Sequence, residues 1–280
     1  MASDFPSTVL KLGPSWGGFD SLKFLVIFGA SYSDVGYEYN SLNVPSHDMP
    51  LGVEFPGATY AEPDEPNWVG HLITNYAAGA HPLLVYDYAK GGSRVHNVTN
   101  QIRVMFKAHI GARPAWAPWA AGDTLFITWV GINDAAWGSD HTDNLEKLFE
   151  AQEILYETGA RNFLFVNIPP IDRAPGKLRP RPAKGRAPNY VNWNSELKKA
   201  TALFATAHPD ATVMIYSSWD TFNALLDDPV AHGFPAEDVR KPGASIWYDF
   251  LHPTSKVHDF VARDMAAFLS AQPAFEAGKK

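Results

Sequence analysis

The chain has 280 residues and a formal net charge of −7, and 46% of its residues are hydrophobic. The acidic balance and the lack of a dense Lys/Arg block argue against nucleic acid as a partner, and no apolar run approaches the roughly 20 residues of a membrane span. The chain has no cysteine, which excludes disulfides, thiolate zinc sites and cysteine nucleophiles. We expect residues 1–280 to form a single domain, with residues 1–22 as an N-terminal arm.

The first residues of the sequence do not predict a cellular compartment. Residues 1–6 lack a basic segment followed by an apolar one, so the sequence predicts no signal peptide here. A cytoplasmic protein and the mature form of a secreted protein both fit this pattern, and nothing in the sequence indicates the oligomeric state.

The first predicted strand carries the leading candidate for a reactive side chain. Residues 24–28 form an unbroken apolar run, which predicts a strand buried on both faces of a sheet. Two small residues, Gly29 and Ala30, end the run, and Ser31 follows. Open α/β folds bind their ligands outside the carboxyl ends of such strands, so Ser31 is the first candidate nucleophile.

Two further predicted strands also end in small or polar residues. Residues 83–87 predict a strand followed by a loop that contains Gly91 and Gly92, where the missing Cβ permits unusual backbone angles and a close approach to a ligand. Residues 124–130 predict a third strand, followed directly by Gly131-Ile132-Asn133-Asp134. Asn-Asp after a strand also forms turns, but this position at the end of a buried strand favours a role for Asn133 in function.

The remaining elements alternate between strands and helices. Strands are predicted over 162–168 and 212–216, and helices over 68–73, 97–112, 144–159, 190–208, 220–226 and 256–269. The Arg-, Lys- and Pro-containing stretch 172–188 is interpreted as a solvated surface excursion. Strands that alternate with helices predict an α/β protein with a parallel sheet.

The stretch before the last helix contains a paired carboxylate and imidazole. In Asp249-Phe250-Leu251-His252, the three-residue spacing lets the carboxylate fold back onto its own imidazole. Asp249 then accepts a hydrogen bond from one ring nitrogen and leaves the other free to take a proton. Four other histidines lack this neighbourhood and are expected to be surface or core residues: His71, His208, His232 and His258.

Taken in order, these four stretches resemble the sequence blocks of the SGNH, or GDSL, hydrolase superfamily. Residues 16–28 also resemble the approach to the nucleophile in fungal carbohydrate acetylesterases of that superfamily. The resemblance implies a three-layer αβα sandwich with a five-stranded parallel sheet, the flavodoxin-like fold of these hydrolases. It also implies the catalytic residues Ser31, Asp249 and His252, and an oxyanion hole formed by Ser31, Gly92 and Asn133.

One residue departs from the family pattern. Ala30 stands where these hydrolases usually have Asp, and Asp34 is a candidate to supply some of the hydrogen bonds that Ala30 cannot make. The resemblance implies a serine esterase with no cofactor, and no group of residues has the spacing of a metal site. We expect activity to be retained despite Ala30, because neither the attack by the serine nor the binding of the oxyanion uses a carboxylate at that position.

The family resemblance and several aromatic residues together predict the substrate class. The resemblance implies short acyl esters, such as an acetylated oligosaccharide or another small-molecule ester. Four tryptophans near predicted loops are candidates for sugar stacking: Trp116, Trp119, Trp137 and Trp247. Two alternatives stay open, namely a lipase-, phospholipase- or thioesterase-type hydrolase of the same superfamily and a catalytically impaired carbohydrate-binding scaffold.

Overall fold

The computed structural model describes residues 3–77, 82–138, 140–176 and 188–277. It contains one six-stranded sheet in the order β1-β6-β5-β4-β2-β3. The strands are Thr8–Lys11, Phe24–Gly29, Leu84–Asp87, Thr124–Trp129, Asn162–Val166 and Thr212–Tyr216, labelled β1 to β6 in that order. Strands β2 to β6 are parallel, and β1 pairs antiparallel with β6.

The predicted α/β fold is confirmed, but the predicted number of five strands is wrong. The additional strand, β1, comes from the N-terminal arm and covers the outer edge of β6. It has only four residues, all of them half-buried, and Pro6 and Gly13 flank it closely. A strand this short carries too weak a pattern to be recognised from the sequence, and it shields an otherwise open sheet edge.

Eight α-helices and two π-helical segments cover the sheet in the described residues. The α-helices α1 to α8 are Trp68–His71, Val95–Asn100, Lys107–His109, Ile132–Ala135, Thr142–Glu157, Pro188–Ala207, Ser218–Asp227 and Ser255–Ser270. The π-helical segments are Leu72–Tyr76, which continues α1, and Gln101–Phe106, which joins α2 to α3. Helices α1, α7 and α8 pack together in one layer and α2, α5 and α6 in another, so the sheet lies between two helical layers.

The strand order brings two of the predicted site residues to neighbouring strands. Strand β2 is hydrogen-bonded to both β3 and β4, and Gly29 pairs with Trp129 at their carboxyl ends. The chain therefore leaves adjacent strands at the point where the strand order reverses, which is where open α/β sheets bind ligands. Ser31 follows β2 and Asn133 follows β4, so both lie at this crevice.

The core is built from the strands that the apolar runs predicted. Every residue of β2, β4, β5 and β6 is buried, as expected for parallel strands covered on both faces. Part of the predicted surface excursion, residues 177–187, lies outside the described residues. Within the described ranges, no helix combines the length and the apolar character needed to cross a membrane.

Candidate active site

Ser31, His252 and Asp249 form a continuous hydrogen-bonded chain. The Oγ atom of Ser31 lies 2.9 Å from Nε2 of His252, and Nδ1 of the same ring lies 2.8 Å from Oδ2 of Asp249. A carboxylate only accepts, so Nδ1 carries the ring proton and Nε2 is the acceptor for the serine hydroxyl. Ser31 and His252, 221 positions apart in sequence, thus meet in the geometry of a nucleophile and its base.

The loop that carries His252 is shaped by the carboxylate of Asp249. Its Oδ1 accepts the backbone N–H groups of Leu251 at 2.7 Å and His252 at 2.6 Å, which leaves Oδ2 for the imidazole. Partial burial raises the pKa of Asp249, but the hydrogen bonds from the side chain and backbone of His252 and from Leu251 outweigh it. The net result is a pKa below the ordinary value, so Asp249 stays ionised across the neutral range.

The nucleophile loop is tied directly to the histidine loop. Tyr32, the residue after Ser31, donates its hydroxyl to the carbonyl of Leu251 at 2.8 Å, and its ring lies 6.0 Å from that of His252. The backbone N–H groups of Ser33 and Asp34 both donate to the carbonyl of Ala30, which closes a tight turn after β2. These contacts fix Ser31 relative to His252.

Each of the three residues predicted to form the oxyanion hole has a hydrogen-bond donor to offer. Within the described part of the chain, the backbone N–H groups of Ser31 and Gly92 have no acceptor. The Asn133 amide donates one hydrogen to the carbonyl of Ser93 at 2.9 Å, which leaves its second hydrogen available. Gly92 has a φ of 76° and open space where a Cβ would stand, as the predicted donor position requires.

Gln101, which sequence reasoning missed, joins two parts of the site. Its side-chain oxygen accepts the N–H of Gly29 at 3.0 Å, and its amide donates to the carbonyl of Gly29 at 2.9 Å and to Oγ of Ser93 at 3.3 Å. The side chain is buried and connects the end of β2 with the loop that holds Gly92. The only signal in the sequence was a glutamine next to apolar residues on the inner face of a helix.

Asp34 supplies hydrogen bonds to the loop that contains Gly92. Its Oδ2 accepts the N–H of Gly91 and its Oδ1 the N–H of Gly36, both at 2.8 Å. The N–H of Gly91 is thereby occupied, which leaves Gly92 as the loop glycine that has a free donor. Burial raises the pKa of Asp34 above its ordinary value, although these two hydrogen bonds lower it in part.

Asp87 is a second buried carboxyl group at the base of the same loop. Its Oδ1 accepts the N–H of Ala89 at 2.8 Å. Burial, followed by the nearby charge of Asp34, raises the pKa of Asp87 well above its usual range. Burial thus shifts the pKa of both carboxyl groups upward, and Asp87 is the more deeply buried of the two.

We predict that Asp34→Asn lowers kcat for a small ester by about 10- to 100-fold and leaves KM nearly unchanged, because a displaced catalytic loop has effects of this size. An asparagine presents an NH₂ group to one of the two N–H donors, and the loop with Gly92 then shifts. Steady-state kinetics with p-nitrophenyl acetate measure the change.

Glu38→Gln is the matched control, since Glu38 pairs with Lys90 on the same loop at 2.7 Å but does not contact Gly91. An unchanged kcat in folded Asp34→Asn would contradict this role.

The four other histidines named above make no hydrogen bond to Ser31 within the described residues. His71 contacts Oγ of Ser255 at 2.9 Å, His208 contacts Glu153 at 2.9 Å, and His232 packs on Phe260. His258 is fully buried in α8, and its Nδ1 has no partner among the described residues. Burial, with smaller contributions from His71 and His252, lowers the pKa of His258 from 6.5 to about 3.

The buried His258 predicts a loss of stability in acid. Between pH 6.5 and 3 the unfolded chain binds a proton at this position that the folded chain does not accept, so the free energy of unfolding falls as the pH falls. The slope from this one group is at most about 1.4 kcal/mol per pH unit. Urea unfolding at several pH values should show a shallower slope for His258→Gln than for the wild type. His47→Gln, at an exposed ring, is the control, and equal slopes in all three proteins would refute the prediction.

Two of the four candidate sugar-stacking tryptophans are core residues. Trp119 and Trp247 are 1% exposed, and their indole N–H groups donate to the carbonyls of Ile110 and Val239. That part of the prediction is wrong, because large aromatics near loops also fill cores. Trp116 and Trp137 are exposed, and Trp137 lies just after Asn133 with the guanidinium of Arg94 5.8 Å from its ring.

Comparisons with known proteins point in one direction. The model of the GDSL-like lipase/acylhydrolase family matches residues 25–265, a range that includes every site residue described above. An acetylesterase of Thermothelomyces thermophilus is 31% identical over an alignment of 271 positions that covers 88% of each chain. An acetylesterase of Hypocrea jecorina is 20% identical over an alignment of 322 positions that covers 90% of each chain.

A solved structure shows the same fold. A variant of Axe2, an acetyl xylan esterase from Geobacillus stearothermophilus, matches with a TM-score of 0.54 at 14% identity. The match covers 94% of this chain and all of the other. At this identity the likeness concerns the arrangement of helices and strands.

Proposed function

We propose that this chain, which belongs to the GDSL-like lipase/acylhydrolase family and is a carboxylic ester hydrolase, removes acetyl groups from carbohydrate esters through a covalent intermediate on Ser31. The observation that carries the proposal is the hydrogen-bonded chain from Ser31 through His252 to Asp249. It supports a nucleophilic serine with an oriented general base, the arrangement that acyl transfer requires.

The first step in this proposal forms the acyl-enzyme. Nε2 of His252 takes the proton of Ser31 as Oγ attacks the ester carbonyl, and Asp249 stabilises the imidazolium that results. The carbonyl oxygen gains negative charge, which the N–H groups of Ser31, Gly92 and Asn133 stabilise. The C–O bond to the alcohol then breaks, and His252 gives its proton to the departing oxygen.

The second step releases the acid. A water molecule takes the place of the alcohol, and His252 removes its proton as the water oxygen attacks the acyl carbon. The same three donors stabilise the second tetrahedral intermediate, which collapses with return of the proton to Ser31. Ala30 takes no part in either step, because neither the attack nor the stabilisation of the oxyanion uses a side chain at that position.

Support for an acetyl ester of a carbohydrate comes from two directions. The 31% identical relative is an acetylesterase, which favours a small acyl group. On this chain, the exposed ring of Tyr60 lies beside that of His252, and the exposed Trp137 follows Asn133 by four residues. Ligand pockets are lined mainly by apolar and aromatic side chains of this kind.

Two assays separate this proposal from its alternatives. Acetate release from acetylated xylo-oligosaccharides tests the carbohydrate substrate, and p-nitrophenyl esters of increasing chain length test the acyl group. We expect acetate release together with rates that fall from acetyl to octanoyl. A preference for octanoyl would favour a lipase- or thioesterase-type enzyme. Binding of the oligosaccharide without turnover would favour the impaired binding scaffold.

A further inference from the structure

Tyr60 has no part in the mechanism above, yet it lies directly on the candidate site. Its ring centroid is 5.0 Å from that of His252, with 34° between the ring planes. Its hydroxyl end packs against Gly91 so closely that a Cβ there would lie 1.8 Å from the hydroxyl oxygen. Tyr60 thus spans from the general base to the loop that carries Gly92, and it remains 40% exposed.

The loop around Tyr60 is anchored on both halves of the site. Ala58 donates its backbone N–H to the carbonyl of Val35, four residues beyond Ser31, at 3.0 Å. Glu62 accepts the N–H of Ser255, three residues beyond His252, at 2.7 Å. Between them, the hydroxyl of Thr59 donates to the carbonyl of Glu65 at 2.8 Å and accepts the N–H of Ala61 at 3.2 Å. The ring is therefore held in place in advance of binding, at little entropic cost to the ligand.

The position of the ring determines which part of an ester it faces. The departing alcohol oxygen must come to Nε2 of His252, because that nitrogen returns the proton. A half-exposed ring tilted against the same imidazole borders the alcohol side of the ester. Resting on the function proposed above, we infer that Tyr60 is the residue that selects the alcohol part of the substrate, and that its ring packs against the sugar that carries the acetyl group.

The chemistry of this surface fits a sugar ring better than a plain alkyl alcohol. Tyrosine combines a flat apolar face with a polar hydroxyl, and it suits ligands that are apolar on one face and polar at the edges. The ion pair of Glu38 with Lys90, the residue before Gly91, adds polar groups to the loop against which the hydroxyl end packs. A small alkyl alcohol would not reach the ring face and would gain little from it.

The test compares two acetyl esters that share an acyl group and differ in the alcohol. Acetate release from xylose tetraacetate and from ethyl acetate is measured for the wild type, Tyr60→Ala and Tyr60→Phe. In Tyr60→Ala we expect kcat/KM for the sugar ester to fall about tenfold through a higher KM, which is the size expected for the loss of a single aromatic contact. The kcat/KM for ethyl acetate should stay within about twofold of the wild-type value. Tyr60→Phe keeps the ring face that packs on the sugar and loses only the polar edge, so it should retain most of kcat/KM on both esters.

Control variants distinguish selection of the sugar from support of His252. Tyr248→Ala removes an equally exposed tyrosine from the histidine loop and should leave the ratio of the two substrates unchanged. If Tyr60→Ala does not fold, Tyr60→Leu keeps apolar bulk without a ring and should shift the ratio in the same direction. Equal losses on both esters, or an unchanged ratio, would overturn the role of Tyr60 while the wild-type activity upholds the proposed function. A wild type that hydrolyses neither ester would overturn both.

Discussion

Ser31→Ala is expected to lower kcat for p-nitrophenyl acetate by about 10⁴-fold or more, because removal of the nucleophile eliminates the covalent route entirely. Among the described residues, Oγ of Ser31 is the hydrogen-bond partner of Nε2 of His252, at 2.9 Å. The donors at Gly92 and Asn133 remain in the variant, so binding of the ester persists and KM changes little. Steady-state kinetics over a range of ester concentrations measure both constants.

Ser33→Ala is the matched control for this experiment. Ser33 lies in the same turn, two residues on, and its hydroxyl accepts the indole N–H of Trp68 at 3.2 Å. Loss of that bond costs about 1 kcal/mol of stability, while kcat stays within a few-fold of the wild type. A Ser31→Ala protein that turns over as fast as Ser33→Ala would refute the assignment of the nucleophile.

Asp249→Asn is expected to lower kcat by about 10³- to 10⁴-fold. In the wild type, Oδ1 of Asp249 is held by the N–H groups of Leu251 and His252, and Oδ2 faces Nδ1 of the imidazole. An asparagine keeps its oxygen on the two N–H groups and therefore turns its NH₂ toward Nδ1. The imidazole must then accept at Nδ1 and carry its proton on Nε2, where it cannot take the proton of Ser31.

The same kinetic assay checks this prediction, with Asp259→Asn as the control. Asp259 lies on α8 and accepts the hydroxyl of Tyr76 at 2.8 Å, away from the imidazole of His252. Its variant should retain the wild-type kcat. A loss of less than tenfold in Asp249→Asn, in a protein that folds normally, would show that Asp249 does not set the tautomer.

The elements that carry the chemistry could be predicted because each one follows a strong local pattern. The apolar run 24–28 predicted β2, and Ser31 at its end lies where the strand order reverses. The family resemblance, drawn from four short stretches, is confirmed by the match over residues 25–265. The three-residue spacing of Asp249 and His252 predicted their contact, because both partners lie in one short loop.

The parts that could not be predicted depend on contacts between distant segments. Gln101 bonds to Gly29, 72 residues away, and Asp34 bonds to Gly91, 57 residues away. Tyr60 lies in a long proline-rich loop that has no periodicity, and only the folded chain brings it to His252. Trp119 and Trp247 were candidates for sugar stacking because a sequence does not distinguish a loop aromatic that turns inward from one that turns outward.

Covalent labelling of the nucleophile tests the central claim most directly. The wild-type protein is treated with a p-nitrophenyl alkylphosphonate, which leaves a stable phosphonyl group on an activated serine, and peptide mass spectrometry locates the group. We expect a single adduct on Ser31, formed in proportion to the loss of esterase activity, and no adduct in Ser31→Ala or His252→Ala. An adduct on another residue, or full activity in protein that is completely labelled at Ser31, would contradict the account.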